Sequence, residues 1–167
     1  MTRLTLLLTA ALFLPACGGP TGPDSGSAQA IVENSTPTLT VAGAPVQPGA
    51  TVTVAQGASV SYRVDYRNNS GQVFHYGVMV ANDNGMERLE SCGAAGSGGE
   101  GGGFGSGLTV ASFDPMYARG RTVRVVLLGA LGPNVSGPGQ CYLQITQGVP
   151  NHANVQTERV LMTLVVQ

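Results

Sequence analysis

The chain has 167 residues, of which 25 are glycine and 10 proline, with no Trp and few aromatic side chains; such a composition makes turns and short strands rather than long helices. That length supports one domain with a core of its own, and no second domain is expected. All eight basic residues are Arg, set against nine Asp and Glu with no basic cluster, which argues against a nucleic-acid partner.

At the N-terminus, Met1-Thr2-Arg3 supplies one positive charge and Leu4 to Leu14 is predominantly apolar, too short to span a bilayer but of the length of a secretory signal. The junction Leu14-Pro15-Ala16-Cys17 resembles the lipobox of bacterial lipoprotein precursors, although Pro15 departs from the usual small or hydroxylated residue. Ordinary signal cleavage wants small residues at both flanking positions, which Leu14 does not supply. The resemblance implies that residues 1–16 are a signal peptide. It also implies that Cys17 becomes the N-terminus, with a diacylglyceryl thioether on sulfur and an acyl chain on its amino group. Several chains anchor a protein stably, since each buried methylene contributes about 0.8 kcal/mol. A membrane is therefore the expected partner through the N-terminal lipid. Gly18 after the Cys implies the outer membrane if the host is Gram-negative. Residues 17–37 are too polar and too rich in Gly and Pro to order themselves, so they read as a tether with a reach of roughly 25 Å.

From Thr38 onward apolar residues recur with period two. Val60, Tyr62, Val64 and Tyr66 alternate with Ser61, Arg63 and Asp65; after the turn residues Asn68-Asn69-Ser70-Gly71, Phe74, Tyr76, Val78 and Val80 alternate again, and Asn82-Asp83-Asn84-Gly85 closes that strand. These two strands are expected to form a hairpin, with Tyr66 opposite Phe74 and Val64 opposite Tyr76, which would set Asp65 beside His75. Further strands are expected at Leu39–Val41, Thr51–Val54, Met86–Cys92, Leu108–Phe113, Thr122–Leu131, Cys141–Thr146 and Arg159–Val166. The runs beginning at Val123 and Val160 are more continuously apolar, as central strands are. About eight or nine short strands make residues 38–167 an all-β, antiparallel β-sandwich. The pattern resembles immunoglobulin-like or fibronectin-like domains, without the buried Trp of true immunoglobulin domains.

With Cys17 assigned to the lipid, Cys92 and Cys141 remain as an even pair in an oxidising compartment and are expected to form a disulfide, the alternative being two buried thiols. Residues 93–107 hold glycine at most positions and are expected to be a flexible connection, or else an adaptable binding loop with Phe104 as its apolar anchor. Gly96, Gly98 and Gly101 satisfy G-x-G-x-x-G, but with no βαβ unit around them the match carries no dinucleotide site. Arg119, Arg121 and Arg124 read as a solvated strand edge. Asn34, Asn68 and Asn134 head N-x-S/T triplets that read as turn residues.

His75 and His152 are the two histidines; no G-x-S-x-G, H-E-x-x-H or P-loop accompanies them, and there is no Lys. No catalytic, cofactor or metal residue is therefore expected. The function expected is that of a non-enzymatic envelope lipoprotein with a structural or protein-interaction role. The alternatives are an envelope enzyme or inhibitor acting through residues 93–107 or 148–157, and a small-molecule-binding lipoprotein.

Overall fold

Alternation decides the faces. In strand β4 (Ser59–Tyr66) Val60, Tyr62, Val64 and Tyr66 are buried while Ser61, Arg63 and Asp65 are exposed. The same rhythm in β1 (Thr36–Val41) buries Pro37, Leu39 and Val41 and exposes Thr36 and Thr38. These dry faces meet those of β5 (Val73–Asn82), β8 (Thr122–Gly132) and β11 (Thr157–Val166), and the core between them includes Leu39, Tyr62, Val64, Phe74, Val125, Leu127 and Leu164. The computed structural model describes residues 26–96, 102–134, 141–146, 149–150 and 152–167. The expected signal peptide, Cys17 and the expected tether as far as Ser25 lie outside them.

Two sheets form the sandwich. One has the order β2-β1-β4-β7, with β2 at Ala44–Val46 and β7 at Gly102–Thr109; the other has the order β3-β11-β8-β5-β6, with β3 at Thr51–Val54 and β6 at Glu87–Ala95. Apart from β3, which runs parallel to β11, neighbouring strands are antiparallel. The arrangement is immunoglobulin-like. β1, β4 and β7 stand where strands A, B and E do, and β11, β8, β5 and β6 stand as G, F, C and C′. A small ribbon of β9 (Gln144–Thr146) and β10 (Val149–Pro150) lies outside both sheets.

The expected hairpin is corrected. β4 pairs with β1 and β7, whereas β5 pairs with β6 and β8, so the chain from Arg67 to Gln72 crosses from one sheet to the other. The dry faces were rightly assigned, but they meet across the core, where Tyr66 and Phe74 have ring centroids 5.1 Å apart. The crossing is organised by Asn68, whose buried side chain donates to the Gln72 and Gly96 carbonyls and accepts from the Ser70 amide. The turn from β5 to β6 is as expected: Asn82 Oδ1 accepts from the Asn84 and Met86 amides, and Gly85 takes the positive φ of 78° that a side chain resists.

The tether is corrected over residues 27–37. Ser27 caps a short helix, α1 (Ala28–Glu33), accepting from the Ala30 amide, and Ala28, Ala30, Ile31 and Val32 are buried against β8 and β11. Burial of Ile31 and Val32 stabilises this docking by about 1.5–3 kcal/mol each. Arg159 Nη1 donates to the carbonyls of Val32, Glu33 and Ser35 at and just past the helix end, where carbonyls no longer have intrahelical donors.

Candidate functional site

β8 and β5 are apolar on both faces because both faces are covered. Beneath them lies the core of the sandwich; above them lies the described part of the connection between β8 and β11. There Leu143, fully buried, packs with Met79, Ala81, Val126, Leu128 and Ala130, and sits over Gly77, where a β-carbon would be 3.2 Å from it.

The residues singled out in the sequence converge on this cover. Cys92 and Cys141 are joined, with α-carbons 5.9 Å apart, and tie the cover to the edge strand β6. His75 is 1% exposed on β5; its Nε2–H donates to the Pro133 carbonyl at 2.9 Å and its ring stacks on Tyr142 at 4.5 Å. It is not beside Asp65, whose partner is Arg63. His152 Nε2 donates to Glu87 at 2.7 Å in a half-exposed pair. Asn154 donates to the Tyr142 carbonyl, and Gln156 bonds both the amide and the carbonyl of Leu131. Of residues 148–157, Val149–Pro150 form β10 and residues 152–157 fasten the cover and lead into β11; Gly148 and Asn151 lie outside the described residues. Among the described residues no three His, Cys, Asp or Glu are grouped to hold a metal.

The expectation of a flexible stretch is also corrected for the described parts of residues 93–107. Residues 93–95 end β6, and residues 102–107 are strand β7, paired with β4 along its whole length; Gly98 and Gly101 lie outside the described residues. Glycine serves close approach here. A β-carbon at Gly102 would lie 2.6 Å from Tyr66 Oη, and one at Gly93 would lie 2.4 Å from Tyr76 Oη, so the hydroxyl end of each ring occupies the space a side chain would need. Phe104 enters between them and stacks on Tyr76, centroids 3.9 Å apart and planes within 5°. Burial, with Tyr76 nearby, pushes the Tyr66 hydroxyl up to about 12.

A second cluster gave no motif in the sequence. Arg88 on β6 bonds Glu90 and Asp114, donates to Tyr117 Oη and lies 5.5 Å over that ring. Asp114 also caps the 3₁₀ turn Pro115–Tyr117, accepting from the Met116 amide. Burial pushes the Tyr117 hydroxyl up, helped by Glu90. Burial would also raise Asp114, but hydrogen bonds from Arg88 and Met116 outweigh it and hold the carboxyl below its ordinary range. Such a saturated cluster fastens β6 to the turn before β8. The signals that could have located it were Arg88 and Glu90 on one face of a strand and the Asp114-Pro115 cap.

Of the three arginines read as a solvated edge, Arg121 pairs with Asp83 at 3.4 Å while Arg119 and Arg124 are exposed. At the opposite end of the sandwich, two shallow clefts meet at Arg67. One of about 210 Å³ is lined by Asn34, Thr36, Asp65, Tyr66 and Arg67, and one of about 130 Å³ by Ala30, Ile31, Asn34, Arg67 and Asn69. Both are smaller than the roughly 300–1,000 Å³ of typical ligand pockets.

Compared with known proteins, the chain matches no family model and no curated protein. Fold similarity alone would transfer no activity in any case.

Proposed function

We propose that this protein is a lipid-anchored envelope protein whose sandwich domain serves a structural or protein-interaction role. The observation that carries the reading is the use made of both histidines. His75 and His152, with the Cys92–Cys141 bridge, hold one segment of chain against the outer face of a sheet. Groups suited to acid–base chemistry are spent on holding a surface in one shape, as a recognition surface requires. The Leu14-Pro15-Ala16-Cys17 junction supports the anchor. The described residues begin at Gly26, nine positions after Cys17, so a lipid on Cys17 would keep the domain near the membrane.

Cys17→Ser is expected to move the protein from the membrane fraction to the soluble one, with the Cys92–Cys141 bridge intact. Unchanged membrane partitioning would reject the anchor.

A further inference from the structure

Each sheet of the sandwich has two edges, and three of the four are guarded. β2 is three residues long and contains Pro45, and β3 has four residues. β6 carries the charges of Glu87, Arg88 and Glu90, shifts register between its pairings at Leu89 and Ser91, and has β10 and the disulfide beside it. Short strands, proline, charge and bulges are the devices that keep sheet edges from pairing with other chains. β7 has none of them. It is eight residues long and uncharged, keeps one register throughout, and among the described residues pairs with β4 alone. In constant-type immunoglobulin sandwiches a further strand, D, lies beyond E at this position.

The hydrogen bonding shows which groups of β7 face away from β4 and have no partner among the described residues. The Val110 amide donates to the Ala58 carbonyl and the Val110 carbonyl accepts from Gly57, so Val110 faces β4. Successive residues of a strand face opposite ways. Leu108, Ser106 and Phe104 therefore also bond β4, and the N–H and C=O groups at the open edge belong to Gly103, Gly105, Gly107 and Thr109.

We propose that β7 pairs antiparallel with β7 of a second copy of this chain, joining two four-stranded sheets into one, with Ser106 on the two-fold axis. This register matches all the free groups, Gly103 with Thr109 of the second copy and Gly105 with Gly107, and the reverse. It also sets Phe104 opposite Leu108 of the second copy and Ser106 opposite Ser106, a self-complementary set of apolar and hydroxyl pairs with no like charges opposed. A shift of one residue would oppose inward to outward side chains. A shift of two loses a matched pair. An edge contact of this length falls below the roughly 1,000 Å² typical of stable complexes, so the dimer is weak in dilute solution and favoured where a tether concentrates the chains. The inference deepens the interaction reading and rests on it for a role, but the two are tested by different readouts. Cross-linking can fail while Cys17-dependent membrane retention stands, and the reverse.

Ser106 is exposed and, on the axis, forms the close pair that does not exchange backbone hydrogen bonds, with α-carbons about 4.5 Å apart, within disulfide reach. Full-length Ser106→Cys in membranes is expected to form a covalent dimer under mild oxidation. The unsubstituted chain, with the same three cysteines, and Thr38→Cys, on the outer face of β1, are expected to stay monomeric. A folded Ser106→Cys that cross-links no more than Thr38→Cys overturns the proposal. Should that variant fail to fold, Ser106→Asp and Ser106→Arg replace it. Each alone is expected to weaken self-association about tenfold by like-charge repulsion, and their mixture to restore it. Equal association of all three samples overturns the proposal.

Discussion

Replacing Gly129 by Ala is expected to push the N-terminal helix off the sheet. A β-carbon at this position would lie 2.6 Å from Val32 Cγ2, 3.0 Å from Phe74 Cε2 and 3.2 Å from Thr157 Cγ2. The first contact is closer than β-carbons come, and Val32, β-branched and wholly buried, has no spare rotamer with which to yield. Overpacking costs about 1–3 kcal/mol. Partial loss of the Ile31 and Val32 burial falls in the same range, so about 2 kcal/mol is expected. For a chain of this size that lowers the melting temperature by about 4–8 °C. A double-mutant cycle isolates the cause. Val32→Ala alone leaves a cavity and destabilises by about 1–2 kcal/mol. In that background Gly129→Ala should cost half as much or less, the remainder coming from Phe74 and Thr157. Thermal or chemical unfolding followed by circular dichroism measures all four proteins. If Gly129→Ala melts with the unsubstituted protein, or costs the same with Val32→Ala present, α1 does not rest on β8 and the account of residues 27–37 is wrong.

Replacing Cys92 and Cys141 together by Ser should lower stability by about 4 kcal/mol, the chain-entropy value for a separation of 49 residues; denaturant midpoints equal to those of the bridged protein would contradict the link. The Asp114 carboxyl titrates lower in the folded protein than in the unfolded chain, so its contribution is present above the unfolded value and is lost as pH falls through the folded one. Acid unfolding of Asp114→Asn should therefore show a shallower loss of stability below about pH 4, and identical acid limbs would remove Asp114 from the account. Phe104→Ala should cost about 2 kcal/mol through loss of the Tyr76 stack, whereas Phe113→Ala, at a ring 92% exposed, should stay within about 0.5 kcal/mol of the unsubstituted protein; the reverse order would misplace β7.

Which residues face inward was legible wherever alternation was strong, as in β4 and β5. Their partners were not, because alternation fixes a face without fixing a neighbour. A short polar connection suits a hairpin, but the same two dry faces can also meet across the core, as Tyr66 and Phe74 do. The apolar run of β8 was readable as a central strand, though what covered its second face was not. The strand expected at Cys141–Thr146 forms only at Gln144–Thr146, and the covering residues Cys141, Tyr142 and Leu143 precede it in a turn. β7 escaped because glycine carries no hydrophobic signal; only Phe104 and Leu108, four residues apart, betray an inward face. The helix at Ala28–Glu33 escaped for a related reason. Ile31 and Val32 are two apolar residues in a polar stretch, and a single turn anchored by Arg159, more than a hundred residues away, has no local signature beyond Ser27 as its cap. Of the candidate site, the two cysteines and two histidines were legible as residues. Their common task of fastening one segment depends on contacts between β5, β6 and the connection, which no local pattern encodes.

The proposed anchoring through Cys17 is tested most directly by the mass of the N-terminal peptide from protein purified out of its native envelope. The expected peptide begins at Cys17 and carries the added mass of a diacylglyceryl group and an amide-linked acyl chain. A peptide that retains residues 1–16, or one that begins elsewhere with an unmodified Cys17 or none, would contradict it.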